Sequence, residues 1–161
     1  MTLAVSLAPF VARKKLESEE AYWSALEKIF KVFALIGWMV CIPTIALSAY
    51  AVDLLYGNEY KDGAAVLAIY GITNLFINMG VAQSLWLINE KRAIISLFKT
   101  LAGAMTCIIG NLILLPKLGI TGAAIVAVTS QLVSAVLMNI FFSKRILIVQ
   151  IKSLASPKFK I

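Results

Sequence analysis

The chain alternates long uncharged stretches with short charged ones. The uncharged runs cover residues 32–52, 64–89, 100–116 and 118–143. A membrane-spanning helix needs about 20 mostly apolar residues, and the third run reaches that length if Lys99 is accepted within its helix. The pattern predicts an all-α integral membrane protein with four transmembrane helices, at 32–55, 64–89, 94–116 and 118–143.

Composition favours the same class. Hydrophobic residues make up 61% of the chain and charged residues 14%, whereas soluble domains contain about 45–50% and about 25%. There is no histidine, and both cysteines fall inside predicted spans. Phosphate-binding glycine motifs and metal-ligand spacings are missing from the sequence. We therefore predict that the protein is not an enzyme and uses no metal or cofactor.

The positive charges indicate a membrane topology. The formal net charge is +7, and the successive segments outside the predicted spans carry five, one, three, one and five basic residues when Lys99 is counted with the second connection. Cytoplasmic loops of membrane proteins carry the excess of Lys and Arg. We predict a multi-pass protein with both termini in the cytoplasm, and no binding of nucleic acid.

The segments that flank the predicted spans differ in character. Residues 1–12 are uncharged but short, and are interpreted as the end of a preceding transmembrane helix. Residues 13–31 have an apolar repeat at helical spacing and predict an amphipathic helix on the cytoplasmic surface, or alternatively a partner-binding helix. Residues 144–161 predict a basic cytoplasmic tail that rests on the anionic inner leaflet.

Polar and helix-perturbing residues interrupt the first two predicted spans. Pro43 removes a backbone donor in the first span and predicts a bend or a hinge. Asn74 and Asn78 are four residues apart in the second span and therefore share a face, with Gln83 roughly opposite. Two amides on one face are costly against lipid, so they either join helices together or line a substrate path.

Lys99 is the most informative residue of the third predicted span. At 100° per residue it shares a narrow arc with Gly103, Thr106 and Gly110, opposite a broad apolar arc. Its long side chain either extends back to the headgroups or faces a cavity as a cation. In the second case it is suited to attract a phosphate group.

The last predicted span contains small residues that indicate close helix packing. Gly119, Ala123 and Ala127 recur every four residues, a pattern that lets helix backbones approach each other. Gln131 lies in the same span and either forms hydrogen bonds between helices or contacts a substrate.

Four segments resemble the C-terminal part of bacterial polysaccharide-unit flippases, in the same order. Residues 110–131, which include Pro116 and Gly122, resemble the turn between their last two helices. The four segments are LAPFVARKK (7–15), AYWSALEKIFKVFALIGWMVCIPTIAL (21–47), LLYGNEYKDGAAVLAI (54–69) and GNLILLPKLGITGAAIVAVTSQ (110–131).

The resemblance implies membership in the multidrug/oligosaccharidyl-lipid/polysaccharide exporter superfamily. Those proteins have two six-helix lobes around a central cavity. They move undecaprenyl-diphosphate-linked sugar units, such as O-antigen or capsule repeats, across the bacterial cytoplasmic membrane by alternating access. This chain resembles the end of their eighth helix and the last four helices, which is most of one lobe. The implied partners are membrane lipids, a polyprenyl-diphosphate-linked glycan and the missing N-terminal lobe.

The resemblance also suggests roles for individual residues. Lys99 is a candidate contact for the anionic lipid carrier, with Asn74, Asn78, Thr106 and Gln131 as further substrate-path candidates. The candidate structural residues are Pro43, Gly103, Gly110, Pro116, Gly119 and Gly122. Two alternatives stay open, a fragment of a multidrug cation antiporter whose carboxylates lie in the missing lobe, and a truncated or accessory membrane protein that transports nothing.

Overall fold

The structure, a computed structural model, describes residues 2–155, with the backbone alone for residues 2–6 and 58. Over this range the chain is helical and forms no strand, which confirms the all-α prediction. The helices are α1 (Thr2–Glu17), α2 (Glu19–Tyr56), α3 (Asp62–Gly71), α4 (Thr73–Asn89), α5 (Ala93–Leu132), α6 (Asn139–Phe142) and α7 (Lys144–Ala155), with a 3₁₀ turn at Asn58–Tyr60 and a π-helical segment at Val133–Leu137.

Three helical stretches are long and apolar enough to cross a membrane, whereas four spans were predicted. They are Glu19–Tyr56, Asp62–Asn89 and Ala93–Phe142. The second stretch joins α3 to α4 through Ile72, whose backbone is itself helical. The third stretch is 50 residues long and contains both of the last two predicted spans.

That third stretch folds back on itself at Gly119. The backbone of Gly119 has φ 56° and ψ −139°, a conformation that glycine adopts at little cost because it lacks a Cβ atom. Pro116 lies just before this turn. We call residues 93–118 the first arm and residues 120–142 the second arm of the resulting helical hairpin.

Glycines of the first arm hold the two arms close together. A Cβ atom at Gly103 would lie 2.9 Å from Cβ of Ser134, and one at Gly110 would lie 2.9 Å from Cγ1 of Val126. These pairs are antiparallel, since the later residue of the first arm faces the earlier residue of the second. Gly122 packs against Leu114 where the turn begins.

The small-residue pattern predicted for the last span lies beside this contact. Gly119 is exposed in the turn, and Ala123 and Ala127 are only half-buried. The second arm instead presents Val126 and Ser134 to the first arm. The sharp turn sets how the second arm is rotated, and spacing within one helix does not specify that rotation.

The predicted boundaries at the N-terminus need correction, because the break falls at Ser18. Ser18 is extended, and its side-chain oxygen accepts a hydrogen bond from the backbone N–H of Ala21 at 3.0 Å, a helix N-cap. Residues 13–17 therefore belong to α1, and residues 19–31 are the first turns of α2. There is no separate surface helix over 13–31.

The first turns of α2 contribute to the main apolar core. Helices α1, α2, α4 and α7 pack against one another here, and the apolar side of 19–31 is buried among them instead of lying free on a surface. The fully buried side chains of this core include Val11, Leu26, Phe30, Met79, Leu85 and Ile146. Farther along, α2 continues through Pro43 as one helix.

The described part of the predicted basic tail is a packed helix. Residues 144–155 form α7, whose buried side packs on α2. Nε1 of Trp38 donates a hydrogen bond to the carbonyl oxygen of Leu154 at 3.2 Å. The tail residues Lys158 and Lys160 lie outside the described residues.

Apolar residues of the first arm remain exposed on one side. This is the broad apolar arc that the sequence places opposite Lys99. Its members are Ile94, Leu97, Leu101, Met105, Ile108 and Leu112, and at least half of each residue's surface is exposed.

Candidate functional site: a buried lysine in a cluster of amides

The most unusual polar feature of the fold is a buried lysine surrounded by three amide side chains. Lys99 of the first arm is 6% exposed, Gln83 of α4 is 1% exposed, and Asn139 and Gln150 are fully buried. We call these four residues the lysine–amide cluster. It joins α4, both arms of the hairpin and α7.

The ammonium group of Lys99 points into the cluster. Nζ donates to Oδ1 of Asn139 at 3.0 Å, to the carbonyl oxygen of Ala135 at 3.4 Å, and to Oε1 of Gln83. These three acceptors match the three N–H donors of an ammonium group. The sequence left two orientations open for the Lys99 side chain, toward the headgroups or into the protein. In the structure it points into the protein.

The amides also bind one another. Nε2 of Gln83 donates to Oδ1 of Asn139 at 2.6 Å, and Nδ2 of Asn139 donates to Oε1 of Gln150 at 2.7 Å. Nε2 of Gln150 donates to the carbonyl oxygen of Ala135 at 3.1 Å. Every buried side-chain nitrogen and oxygen in the described part of the chain has a hydrogen-bond partner.

A short π-helical segment in the second arm positions the residues of this cluster. Residues Val133–Leu137 are π-helical, and the N–H of Met138 bonds five residues back to the carbonyl of Val133 at 3.0 Å. The Ala135 carbonyl within this segment accepts from Lys99, Asn139 and Gln150. Single-turn π-helical segments occur frequently at functional sites.

No acidic group balances the Lys99 cation locally. Among the described residues the ion pairs within 4.0 Å are Lys14–Glu17 and Lys15–Glu90, both away from the cluster. The three acceptors around Lys99 are neutral oxygens, so the site keeps a positive charge whenever Lys99 is protonated. A buried charge is stabilised much further by an opposite charge than by neutral dipoles, so the site is suited to an anion.

A groove gives access to the cluster from one side. It encloses about 630 Å³ between α4 and the two arms of the hairpin. Lys99 and Gln83 form part of its wall, and Ser84, Ser96 and Gln131 add polar groups. The remaining lining is mostly apolar, as in sites that take amphiphilic molecules.

Comparison with known proteins gives one relative. The chain is 30% identical over 131 residues to the capsular polysaccharide biosynthesis protein CapF of Staphylococcus aureus. The aligned region covers 74% of this chain and 31% of CapF, so the chain spans less than a third of that relative's length. No protein-family model matches the chain, and no solved structure matches it. The similarity to CapF is compatible with a role in polysaccharide synthesis.

The structure separates the predicted substrate-path residues into two groups. Lys99 and Gln131 line the groove. Asn74, Asn78 and Thr106 donate to backbone carbonyls three or four residues earlier, those of Gly71, Asn74 and Ala102, at 3.2, 2.8 and 2.8 Å. None of these hydrogen bonds reaches the lysine–amide cluster.

Two members of the cluster were missed at the sequence level. Asn139 follows a run of apolar residues, and Gln150 lies in a segment that reads as a basic tail. A signal for Gln150 does exist, because Ile146, Val149, Gln150 and Ser153 recur at helical spacing and predict one buried face. No comparable pattern assigns Asn139 to Lys99, since the contact crosses from one arm of the hairpin to the other.

Proposed function

We propose that this chain forms part of a membrane transporter for polysaccharide biosynthesis. The transporter moves polyprenyl-diphosphate-linked oligosaccharide units from the cytoplasmic to the outer leaflet of the bacterial cytoplasmic membrane. The remaining lobe comes from residues or a chain beyond these 161, because alternating access requires a second body to move against.

The proposed membrane arrangement has four crossings. At 1.5 Å per residue the first arm is about 39 Å long and the second about 34 Å, and either exceeds the hydrocarbon thickness of about 30 Å. Lys15, Arg92 and Arg145 meet at one end of the bundle, while Lys61 lies beside Asp53 elsewhere. The end that gathers the basic residues is placed in the cytoplasm by the positive-inside rule.

The observation that carries this function is the uncompensated cation of Lys99 in the wall of the groove. A diphosphate group that enters the groove would replace neutral acceptors with charged oxygens, which form hydrogen bonds roughly twice as strong. The apolar lining would accompany the polyprenyl chain. Gln131 and Ser96 would contact the polar part of the same substrate.

The similarity to CapF supports the assignment of the transporter to polysaccharide biosynthesis. CapF is described as a capsular polysaccharide biosynthesis protein. The assignment to the flipping step itself rests on the family resemblance of the four sequence segments.

A charge series at Lys99 tests the function. The chain would replace the corresponding region of a complete homologue, and surface polysaccharide would be measured with Lys99→Gln and Lys99→Arg. We expect Lys99→Gln to lower export at least about tenfold, the factor that corresponds to 1.4 kcal/mol, and Lys99→Arg to retain more than Lys99→Gln.

Two controls separate this result from poor folding. Lys61→Gln removes an exposed lysine at the opposite end of the bundle and is expected to leave export unchanged. Membrane abundance of each variant is measured by immunoblot. Export by Lys99→Gln at the level of the unsubstituted protein would show that the cluster serves only to hold the helices together.

A further inference from the structure

A second polar cavity lies where three breaks between helices come together. It encloses about 490 Å³, and Ser143, which precedes α7, is part of its wall. The other two breaks are Ser18, before α2, and residues 90–92, between α4 and α5. The cavity is lined by Lys15, Arg92, Arg145, Trp23 and Trp86, together with two glutamates. We call it the Arg–Trp cavity.

Both arginines of this cavity lie over tryptophan rings. The guanidinium carbon of Arg145 lies 3.7 Å from the ring centre of Trp23, a stacking distance, and that of Arg92 lies 5.6 Å from the ring centre of Trp86, a looser cation–π contact. A guanidinium over an aromatic ring keeps its N–H groups available at the edge. Two arginines held in this way suit the paired oxygens of a phosphate group.

The turn before α5 fixes the position of Arg92. Lys91 has a positive φ of 54°, and the N–H of Arg92 bonds to the carbonyl of Leu87 at 2.9 Å. This is a Schellman-type end of α4. Arg92 is therefore set by backbone hydrogen bonds and does not lie in a freely moving loop.

One carboxylate of the cavity, that of Glu90, already has hydrogen-bond partners within the protein. Oε1 of Glu90 accepts from Nζ of Lys15 at 2.8 Å and from the hydroxyl of Tyr22 at 3.0 Å. Within the described residues neither Arg92 nor Arg145 has a carboxylate within 4.0 Å. Three cations and two carboxylates line the cavity, so it keeps a net positive charge.

An apolar surface continues from the cavity along the hairpin. The rings of Phe98 and Phe142 stack with their centres 6.4 Å apart, and Phe142 directly precedes Ser143. Ile94 and Phe98 are more than half exposed. A cationic, tryptophan-lined cavity beside an exposed apolar surface matches an amphiphile better than a free phosphate ion.

We propose that the Arg–Trp cavity binds the phosphate of an anionic membrane lipid. Arg92 and Arg145 contact the headgroup, and the acyl chains lie along Phe98 and Phe142. This site is separate from the groove at Lys99 and rests only on membrane insertion from the proposed function. It would hold the cytoplasmic end of the bundle at the level of the inner-leaflet headgroups.

Native mass spectrometry of the full chain in detergent tests the site. Phosphatidylglycerol, phosphatidylcholine and inorganic phosphate would be added separately at matched concentrations. We expect the chain to retain phosphatidylglycerol in preference to phosphatidylcholine. In the Arg92→Gln/Arg145→Gln variant, affinity for phosphatidylglycerol should fall at least about tenfold, the effect expected for removing two basic groups at a lipid surface.

The matched control is Lys61→Gln/Lys117→Gln, which also removes two exposed basic residues but from other places. It should keep the preference for phosphatidylglycerol. Equal retention of both lipids, or an unchanged preference in the double arginine variant, would overturn the proposal. Binding of inorganic phosphate without any retained lipid would also overturn it, because the ligand would then be a free ion.

Two further variants keep the test decisive. If the glutamine variant loses its helical circular dichroism, Arg92→Lys/Arg145→Lys retains both charges and must still prefer phosphatidylglycerol. Loss of preference in that folded variant would count against the site. Export by the Lys99 variants and lipid retention by the Arg92 and Arg145 variants are measured in separate assays, so failure of the transport function and failure of this lipid site give different results.

Discussion

Asn139, and not Lys99, should be the residue on which the stability of the lysine–amide cluster depends. The relevant comparison is between Asn139→Leu and Lys99→Met, two substitutions that each replace a polar member with an apolar side chain. Both positions are buried, so exposure does not explain a difference between them. The difference follows from how many hydrogen bonds each residue makes and what its loss leaves behind.

Asn139 takes part in five side-chain hydrogen bonds, with lengths from 2.6 to 3.2 Å. At an average of about 0.6 kcal/mol for such bonds in membrane proteins, Asn139→Leu should cost about 3 kcal/mol. The substitution also leaves the ammonium of Lys99 with two acceptors, Gln83 and the Ala135 carbonyl. An under-satisfied buried charge adds to the cost.

Lys99→Met should change stability by less than about 1 kcal/mol. Every acceptor that Lys99 uses has another donor. Oε1 of Gln83 still accepts from Asn139 and Gln150, Oδ1 of Asn139 from Gln83, and the Ala135 carbonyl from Asn139 and Gln150. The three hydrogen bonds of Lys99 are worth about 1.8 kcal/mol at the same average, and removing the buried cation offsets that loss, since its insertion costs about 2.5–3.5 kcal/mol.

The two substitutions should not be additive. In the Lys99→Met background, Asn139→Leu no longer deprives a charge of a partner, so its cost should fall by about 1 kcal/mol. Unfolding in detergent micelles, followed by circular dichroism for the four members of the double-mutant cycle, measures this coupling. If Lys99→Met destabilised the protein as much as Asn139→Leu, Lys99 would be a structural member of the cluster, contrary to our reasoning.

Two further predictions concern the hairpin and the Lys15–Glu90 ion pair. Gly103→Ala should lower stability by about 1 kcal/mol, seen as a lower thermal midpoint, because its methyl group would meet Ser134 at 2.9 Å, an overpacking effect. The control Gly63→Ala, whose nearest contact would be at 3.7 Å, should not lower the thermal midpoint. Hydrogen bonding from Lys15 lowers the pKa of Glu90, so the ion pair stabilises the fold above the ordinary pKa of Glu90 and is lost as pH falls through the lowered value. Lys15→Gln should make the thermal midpoint depend less on pH between neutral and acidic conditions, with an effect on stability of less than about 1 kcal/mol. A midpoint that falls on acidification as much as in the unsubstituted protein would refute this.

Much of the secondary structure follows from the sequence. The uncharged runs at 32–52 and 100–116 fall within single helices of the structure, and the run at 64–89 is helical on both sides of Ile72, because long apolar segments satisfy their backbone groups best as helices. Lys99 also stands out without coordinates, since it is a lone charge in an apolar segment. The break at Ser18 was missed, although Ser is a favoured N-cap residue, because the apolar repeat runs on into α2.

The partners of Lys99 illustrate what could not be predicted. A helical projection places Lys99, Gly103 and Gly110 on one side of the first arm, but it does not say what that side contacts. The structure places Gly103 and Gly110 against the second arm and Lys99 against Asn139. The rotation of the second arm depends on the backbone at Gly119 and on the π-helical turn, and a helical projection of the first arm contains neither.

The sequence by itself determined that the protein is helical and apolar, where its charges are concentrated, and that Lys99 is a cation in an apolar helix. Those properties depend on the order of residues within single segments, and local periodicity records them. Only the tertiary structure decided that Gln83, Asn139 and Gln150 surround Lys99, and that Arg92 and Arg145 share a cavity. These contacts join residues 11 to 67 positions apart, and their geometry is set by how helices pack, which no single segment encodes.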